Sequence, residues 1–310
     1  MVSRELVILN NSKNSFLKAV IRFYRLPFIG NLPILPPLMK HLIIEPRTSW
    51  SKRDFTEMVE FRWVLFMLML RDIKLRYKQT FLGAVWVILQ PLMTAFLFSF
   101  IFGRWLKVES DGIPYTLFAF CGLIPWLVFS QSVQRASTSL VNETQLVQKV
   151  YFPRLFLPIA GTLGVILDCL FAILTLAILM AIYHHPVSWQ ILLLPLGILL
   201  IFLFSTAFNI LLSCLSAHYR DFKHIIPFFL QFWMYASPIA YSMSSIPEKW
   251  RWVFAMNPLT GIIEFFRWSL LGHSVYPTSS FSIACALTLI LMWISLIVFR
   301  KLEWTLSDVI

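Results

Sequence analysis

Long apolar runs alternate with short charged segments along most of this chain, and their lengths predict helices that cross a membrane. A helix needs about 20 predominantly apolar residues to span the hydrocarbon core of a bilayer. Six runs are near or above that length, at 81–103, 113–134, 155–183, 190–217, 225–243 and 277–299. Five of them contain no charged residue, whereas the third contains Asp168. The pattern predicts an all-α integral membrane protein with six transmembrane helices per subunit.

The segment before the first run predicts a helix on the membrane surface. Its apolar residues recur at intervals of three and four, at Phe66, Leu70, Ile73 and Tyr77. This spacing places them on one face of an N-terminal amphipathic interface helix. Its cations lie on the flank of that stripe, at Arg71, Lys74 and Lys78, as expected beside an anionic membrane surface.

The region around the fifth run predicts an irregular crossing. Pro227 and Pro238 interrupt the run and indicate a broken or re-entrant span. The loop at 244–272 is rich in aromatic residues and is divided at Asn257-Pro258. We therefore expect two short re-entrant external helices between spans five and six. Their tryptophans, Trp250, Trp252 and Trp268, are expected at headgroup depth.

Composition and charge agree with a membrane protein and set its orientation. The chain is 58% hydrophobic and 13% charged, against about 25% charged residues in soluble domains. Its net charge of +11 comes from cations at the ends of the apolar runs, so we expect no nucleic-acid partner. Only five of the 26 Lys and Arg residues lie in predicted outer loops, at Arg104, Lys107, Lys249, Arg251 and Arg267. The positive-inside rule then predicts cytoplasmic N- and C-termini.

Two regions are expected along the chain: a basic N-terminal cytoplasmic extension at 1–52 and a transmembrane domain at 53–310. Within the extension, residues 16–23 combine apolar and cationic stripes at helical spacing. They predict either a short amphipathic helix on the inner leaflet or a partly ordered tail.

Candidate chemistry is sparse. The sequence contains no phosphate-binding loop and no catalytic or metal-binding motif, so we expect no catalytic, metal or cofactor-binding residues. Asp168 is the intramembrane acid, and a charge at that depth costs about 2.5–3.5 kcal/mol on insertion scales. It is interpreted either as a structural lock for the third helix or as a substrate contact or proton relay. The dense aromatic residues of spans one and five suit a path for a glycan, because sugar CH faces stack on aromatic rings. The candidates are Trp86, Phe96, Phe232 and Tyr235. The alternative, which accounts for most of the aromatic residues in these spans, is contact with lipid or with the membrane interface.

Four segments, taken in order, resemble the ABC-2 type permeases that export bacterial polysaccharides, most of all the O-antigen permeases. Residues 71–93 are similar to that family's interface helix and first span, and 150–161 to its entry into span three. HYRDF at 218–222 is similar to its cytosolic Arg-Asp turn, and 257–272 to its external re-entrant helices. The resemblance covers about residues 55–300 and leaves 1–52 unexplained.

The resemblance implies a homodimer joined to two copies of a soluble ABC ATPase subunit, which would bind the ATP and Mg. Residues 142–154 would form the helix that rests on the ATPase. The implied ATPase-coupling residues are Gln148, Lys149, Tyr151, Phe152, Arg154, Tyr219, Arg220 and Asp221. Spans one and five would line the path of an undecaprenyl-linked polysaccharide through the bacterial inner membrane. The alternatives are a capsule or teichoic-acid permease, an ABC-2 drug exporter, and a proton-driven transporter that uses Asp168.

Overall fold

A computed structural model describes residues 52–77, 84–219, 221–272 and 277–309, and throughout these ranges the chain forms helices and connecting turns. The extension at 1–52, apart from its last residue, lies outside them. Within these ranges lie thirteen α-helices: α1 (Lys52–Glu60), α2 (Arg62–Tyr77), α3 (Ala84–Phe98), α4 (Tyr115–Ala136), α5 (Ser139–Asn142), α6 (Thr144–Lys149), α7 (Phe156–Leu163), α8 (Ile166–Ile182), α9 (Leu194–His218), α10 (Phe222–Tyr235), α11 (Glu248–Ala255), α12 (Pro258–Leu271) and α13 (Thr278–Val309).

Among the described residues, five segments are long and apolar enough to cross a membrane: Ile88–Trp105, Tyr115–Ala136, Phe156–Ile182, Trp189–His218 and Thr278–Glu303. They match five of the six predicted spans. The first continues from α3 into a π-helical segment, Ser99–Trp105, and the third consists of α7 and α8 in succession. The predicted fifth span contains a shorter helix, the 14-residue α10.

The second span, α4, lies at the centre of the bundle. It contacts α3, α7, α8, α9 and α12, and most of its side chains are buried, including Phe118, Phe120 and Phe129. Phe129 stacks on Phe204 of α9, with ring centroids 5.3 Å apart, and meets Trp233 of α10 edge-on. Helices α3 and α10, by contrast, leave most of their apolar side chains exposed.

The bundle has two ends. At the end that we call proximal, α1, α2, α5 and α6 meet the last turns of α9 and α13. They enclose a second apolar cluster around Leu68, Leu140, Phe152, Phe156 and Phe299. At the opposite, distal end, the 106–114 loop meets the segment between α10 and α11. The segment around α5 and α6 and the 106–114 loop therefore lie at opposite ends of the bundle.

The two helices predicted around Asn257-Pro258 are present as α11 and α12, and the rest of the bundle covers the second far more than the first. Helix α12 lies inside the bundle, and twelve of its fourteen residues are buried, including Trp268 and Arg267. Trp250 and Trp252 on α11 are exposed. Arg267 therefore belongs to the core and not to an outer loop.

A glycine allows α12 to enter the bundle. A Cβ atom on Gly261 would lie 2.2 Å from the carbonyl oxygen of Ser280 in α13, so only glycine permits this close helix crossing. The Asn257 side chain caps the start of α12 by accepting a hydrogen bond from the Leu259 amide. Gly272 ends the helix in the left-handed conformation, with φ of +66°.

Candidate functional site

The segment predicted to contact an ATPase forms a short helix at the proximal end. Helix α6 covers Thr144–Lys149, and its exposed side chains include Gln148 and Lys149. Tyr151 follows with half of its side chain exposed and donates a hydrogen bond to Glu57 Oε1 of α1, at 2.6 Å. Burial and this bond to Glu57 raise the pKa of Tyr151 to about 12, so the phenol stays protonated and remains the donor.

The other proposed coupling residues divide into exposed and inward-facing groups. Tyr219 and Asp221 are exposed at the turn between α9 and α10, and Arg220 lies outside the described residues. Phe152 is only 5% exposed and packs in the proximal cluster, so it supports the segment from beneath. Arg154 donates to the Glu303 carbonyl oxygen at 2.9 Å and holds the same segment against α13.

Asp168 has its partners on the interface helix α2. It is 5% exposed, forms an ion pair with Arg76, and accepts a hydrogen bond from the Tyr77 hydroxyl at 2.6 Å. Arg76 also donates to Gln131 Oε1 of α4 at 2.6 Å. A buried carboxylate is tolerated when it is paired and hydrogen-bonded in this way. The geometry supports the structural interpretation of Asp168, with its lock formed by α2 rather than by another span.

Arg71 of α2 makes a second ionic contact, which differs from its predicted place beside lipid headgroups. Its guanidinium donates two hydrogen bonds to the Glu143 carboxylate, 2.8 and 3.1 Å long. The same group contacts Asp72 at 3.0 Å. Arg71 therefore ties α2 to the residue that directly precedes α6.

At the distal end, Arg267 holds the irregular backbone that follows α10. This side chain is 3% exposed, and its guanidinium carbon lies 3.6 Å from the centroid of the Phe118 ring. It donates to the carbonyl oxygens of Ile239, at 2.7 Å, and Tyr241, at 3.4 Å. Gly122 leaves the space for it, since a Cβ atom there would lie 2.8 Å from Nη2.

Other side chains bind two further carbonyl groups of this break. The Tyr115 hydroxyl donates to Ala240 O at 2.5 Å, and Asn257 Nδ2 donates to Ala236 O at 3.4 Å. Asn257 Oδ1 also accepts from the Trp233 indole at 3.0 Å. Non-helical backbone at membrane depth is stable only when protein groups satisfy it. Side chains from neighbouring parts of the fold therefore stabilise the break that Pro238 predicts.

The four residues predicted to line a path lie on the exposed surfaces of α3 and α10. Trp86 and Phe96 belong to α3, Phe232 and Tyr235 belong to α10, and each side chain is at least half exposed in the single chain. The distal ends of the first span and α10 enclose an apolar cavity of about 90 Å³. It is lined by Phe98, Phe102, Met234, Tyr235, Ser237, Ala240 and Tyr241.

Two important features, one residue and one ion pair, are not among the site candidates that the sequence predicts. Arg267 had a detectable signal, because it is a lone cation in the apolar stretch 265–271 and such a residue needs a buried partner. The sequence carries no signal for the pairing of Arg71 with Glu143, because 72 positions separate the two residues and each lies in an ordinary mixed-charge segment.

Comparison with known proteins identifies the family. The profile described as "ABC-2 type transporter" matches residues 64–271, from the start of the interface helix to the end of α12. This is more than half of the chain and includes α6, the break after α10 and both ionic contacts of α2.

Curated relatives extend the match over most of the chain. An O-antigen export system permease protein from Klebsiella pneumoniae is 29% identical over 251 residues, which cover 80% of this chain and 95% of the relative. One from Myxococcus xanthus is 25% identical over 79% of this chain and 94% of the relative. A polysialic acid transport protein from Escherichia coli is 24% identical over 76% of this chain and 92% of the relative.

Proposed function

This chain belongs to the ABC-2 type transporter family, and on that basis we propose that it is the membrane permease of an ATP-driven polysaccharide exporter. Its substrate would be a lipid-linked glycan of the O-antigen class. The observation that carries this proposal is the near full-length similarity to permeases named for O-antigen export. As the family implies, the permease would form a homodimer that binds two ATPase subunits. The lack of a phosphate-binding loop in this chain fits ATP binding by a separate subunit.

The proximal end would face the cytoplasm and receive the ATPase. Gln148, Lys149 and Tyr151 are exposed there, and Tyr219 and Asp221 lie on the same end. When the two ATPase subunits close around ATP, they would push on α6 and on the turn between α9 and α10. A protein surface transmits such a push only if it makes different contacts in the two states.

The glycan would pass along α3 and α10. These helices expose aromatic and aliphatic side chains that a single chain leaves uncovered, and a second copy or a glycan would cover them. Exposed aromatic rings offer stacking surfaces for sugars without fixing the identity of the sugar. Helix α10 and the break after it would complete the fifth of six crossings.

The substrate prediction is tested in proteoliposomes that contain this permease and its cognate ATPase. We expect ATP hydrolysis and glycan uptake to rise with undecaprenyl-diphosphate-linked O-polysaccharide. An ATPase subunit with its catalytic glutamate replaced provides the inactive control. A response only to capsule-type glycolipids would indicate that this chain exports capsule polysaccharide instead. The similarity to the polysialic acid transport protein makes this the alternative to test. A response only to small hydrophobic drugs would contradict polysaccharide export altogether.

The ATPase-contact prediction uses a charge reversal on α6. We expect Lys149→Glu together with Gln148→Ala to weaken binding of the ATPase about tenfold, or roughly 1.4 kcal/mol, because interfaces depend on complementary charge. Binding is measured by titrating purified ATPase onto the permease in nanodiscs. Lys249→Glu is the matched control, since Lys249 is an exposed lysine at the distal end. Equal affinity of both variants would place the contact elsewhere.

A further inference from the structure

Helix α2 is attached by ionic contacts on two sides. On one side, the Arg71 guanidinium binds both oxygens of Glu143, the residue that directly precedes α6. On the other side, Arg76 and Tyr77 at the end of α2 bind Asp168 in the first turn of α8. One helix therefore connects the segment predicted to receive the ATPase with the core of the third span.

The contact between Arg71 and Glu143 is suited to transmit motion in a fixed direction. A bidentate arginine–carboxylate pair restrains orientation as well as distance. Its two side chains are 20% and 30% exposed, so water competes less with it than with a surface pair. Burial alone would lower the pKa of Arg71, but the carboxylates of Glu143 and Asp72 raise it above its usual value.

The other polar contacts of the α6 segment are either less constrained or made with helices other than α2. Tyr151 donates a single hydrogen bond to Glu57, and this contact is exposed. Arg154 binds a backbone carbonyl of α13 rather than α2. The pair formed by Arg71 is therefore the most constrained polar connection between the segment leading into α6 and the interface helix among the contacts that the structure describes.

We propose that Arg71 and Glu143 are positioning residues that make α2 and α6 move as one lever. This inference rests on the proposed function. Displacement of α6 by an ATPase would rotate or shift α2 through this pair, and the contact of Arg76 with Asp168 would pass the movement to α8. Apolar packing of Leu68 and its neighbours holds α2 in place independently of the pair, so loss of the pair affects coupling more than folding.

The test compares transport with ATP hydrolysis in the same proteoliposomes. We expect Arg71→Gln and Glu143→Gln each to lower the glycan transported per ATP hydrolysed about fivefold or more, the lower bound of typical coupling between sites. The ATP hydrolysis rate and the amount of assembled complex should change less than twofold. The double variant should be no worse than either single one, because both remove the same contact. Arg71→Lys, which keeps the charge, should recover part of the ratio.

Lys74→Gln is the matched control, because Lys74 is an exposed cation on the same helix. An unchanged transport ratio in both Arg71→Gln and Glu143→Gln would overturn the proposal and leave the pair with a structural role. If Glu143→Gln fails to assemble, Glu143→Asp replaces it, because it keeps the charge but shortens the side chain. The amount of glycan transported per ATP hydrolysed must then fall in the same way. Wild-type protein that transports no polysaccharide would instead contradict the proposed function.

A cross-link tests whether the two segments move together. Arg71→Cys and Glu143→Cys are combined after the four native cysteines are replaced by alanine, and a short bis-methanethiosulfonate reagent joins them. Transport should persist after cross-linking, to a greater extent than in the untreated double variant, because the link replaces the lost pair. Transport that stops on cross-linking and returns on reduction would show that the contact must open, which would overturn the lever.

Discussion

Asp168→Ala is expected to cost about 3–5 kcal/mol of folding free energy, because it leaves the buried Arg76 guanidinium without its carboxylate. The change also removes the acceptor of the Tyr77 hydroxyl. It should appear as a large fall in the thermal unfolding temperature of the purified permease in detergent and as poor recovery from membranes. Asp221→Ala removes an exposed aspartate and should have little effect on either measurement.

Two further substitutions separate a structural Asp168 from a functional one. Asp168→Asn removes the charge but keeps an oxygen acceptor for Tyr77 and Arg76, so we expect it to lose less stability than Asp168→Ala. Because this hydrogen-bonded contact between α2 and α8 persists, the folded variant should still export glycan. The pair Asp168→Leu with Arg76→Met removes both charges and should recover much of the stability lost in Asp168→Ala. If Asp168→Asn folds normally and exports nothing, the carboxylate has a role in transport and the structural interpretation is wrong.

Arg267→Leu is expected to destabilise the distal end strongly. Two carbonyl oxygens, those of Ile239 and Tyr241, lose their donor inside the protein, and each unsatisfied group costs about 1–3 kcal/mol. Loss of the contact with the Phe118 ring adds about 0.5–2 kcal/mol. The unfolding temperature in detergent should fall, and protease should gain access to the segment between α10 and α11.

Arg251 provides the matched control for this experiment. It also donates to two carbonyl oxygens, those of Ile246 and Ser244, but it is exposed on α11. Water can replace its bonds, so Arg251→Leu should cost much less than Arg267→Leu. Arg267→Lys should be intermediate, since a single ammonium reaches the carbonyls without the planar fork. Equal effects of the two leucine variants would mean that the burial of Arg267 is not what makes it important.

The membrane spans could be predicted from the sequence because the features that define each span lie within the span itself. A run such as 190–217 contains within itself the length and hydrophobicity that a spanning helix needs, and α9 forms there. Pro238 likewise indicated where the fifth run breaks, because proline cannot continue the hydrogen bonds of a helix. Helix α10 ends at Tyr235, shortly before it.

The burial of α12 could not be predicted in the same way. Its sequence has apolar residues with one acid and one base, a composition that fits a helix on the membrane surface as well as one inside the bundle. The deciding features are in other elements: the space beside Gly122 and the crossing of Gly261 with α13. Contact between distant segments, and not local pattern, determines where this helix lies.

The candidate site was predictable as a location but not as a set of contacts. Charge and the resemblance to a family predict the segment around α6 and the Arg-Asp turn as contact sites, and α6, Tyr219 and Asp221 lie at the proximal end. The partners of Asp168, however, were sought among other spans. They are on α2, which had been interpreted as a surface helix, and 91 residues separate Tyr77 from Asp168.

The break after α10 has a consequence for the order in which the chain is assembled in the membrane. Its backbone depends on Tyr115, which is synthesised earlier, and on Asn257 and Arg267, which are synthesised later. When residues 236–241 leave the ribosome, only one of these three donors exists. Exposed carbonyl groups cannot remain in hydrocarbon, so the segment must wait in a hydrated environment until α12 enters beside it. We therefore expect residues 236–241 and α12 to insert together, as one step of biogenesis.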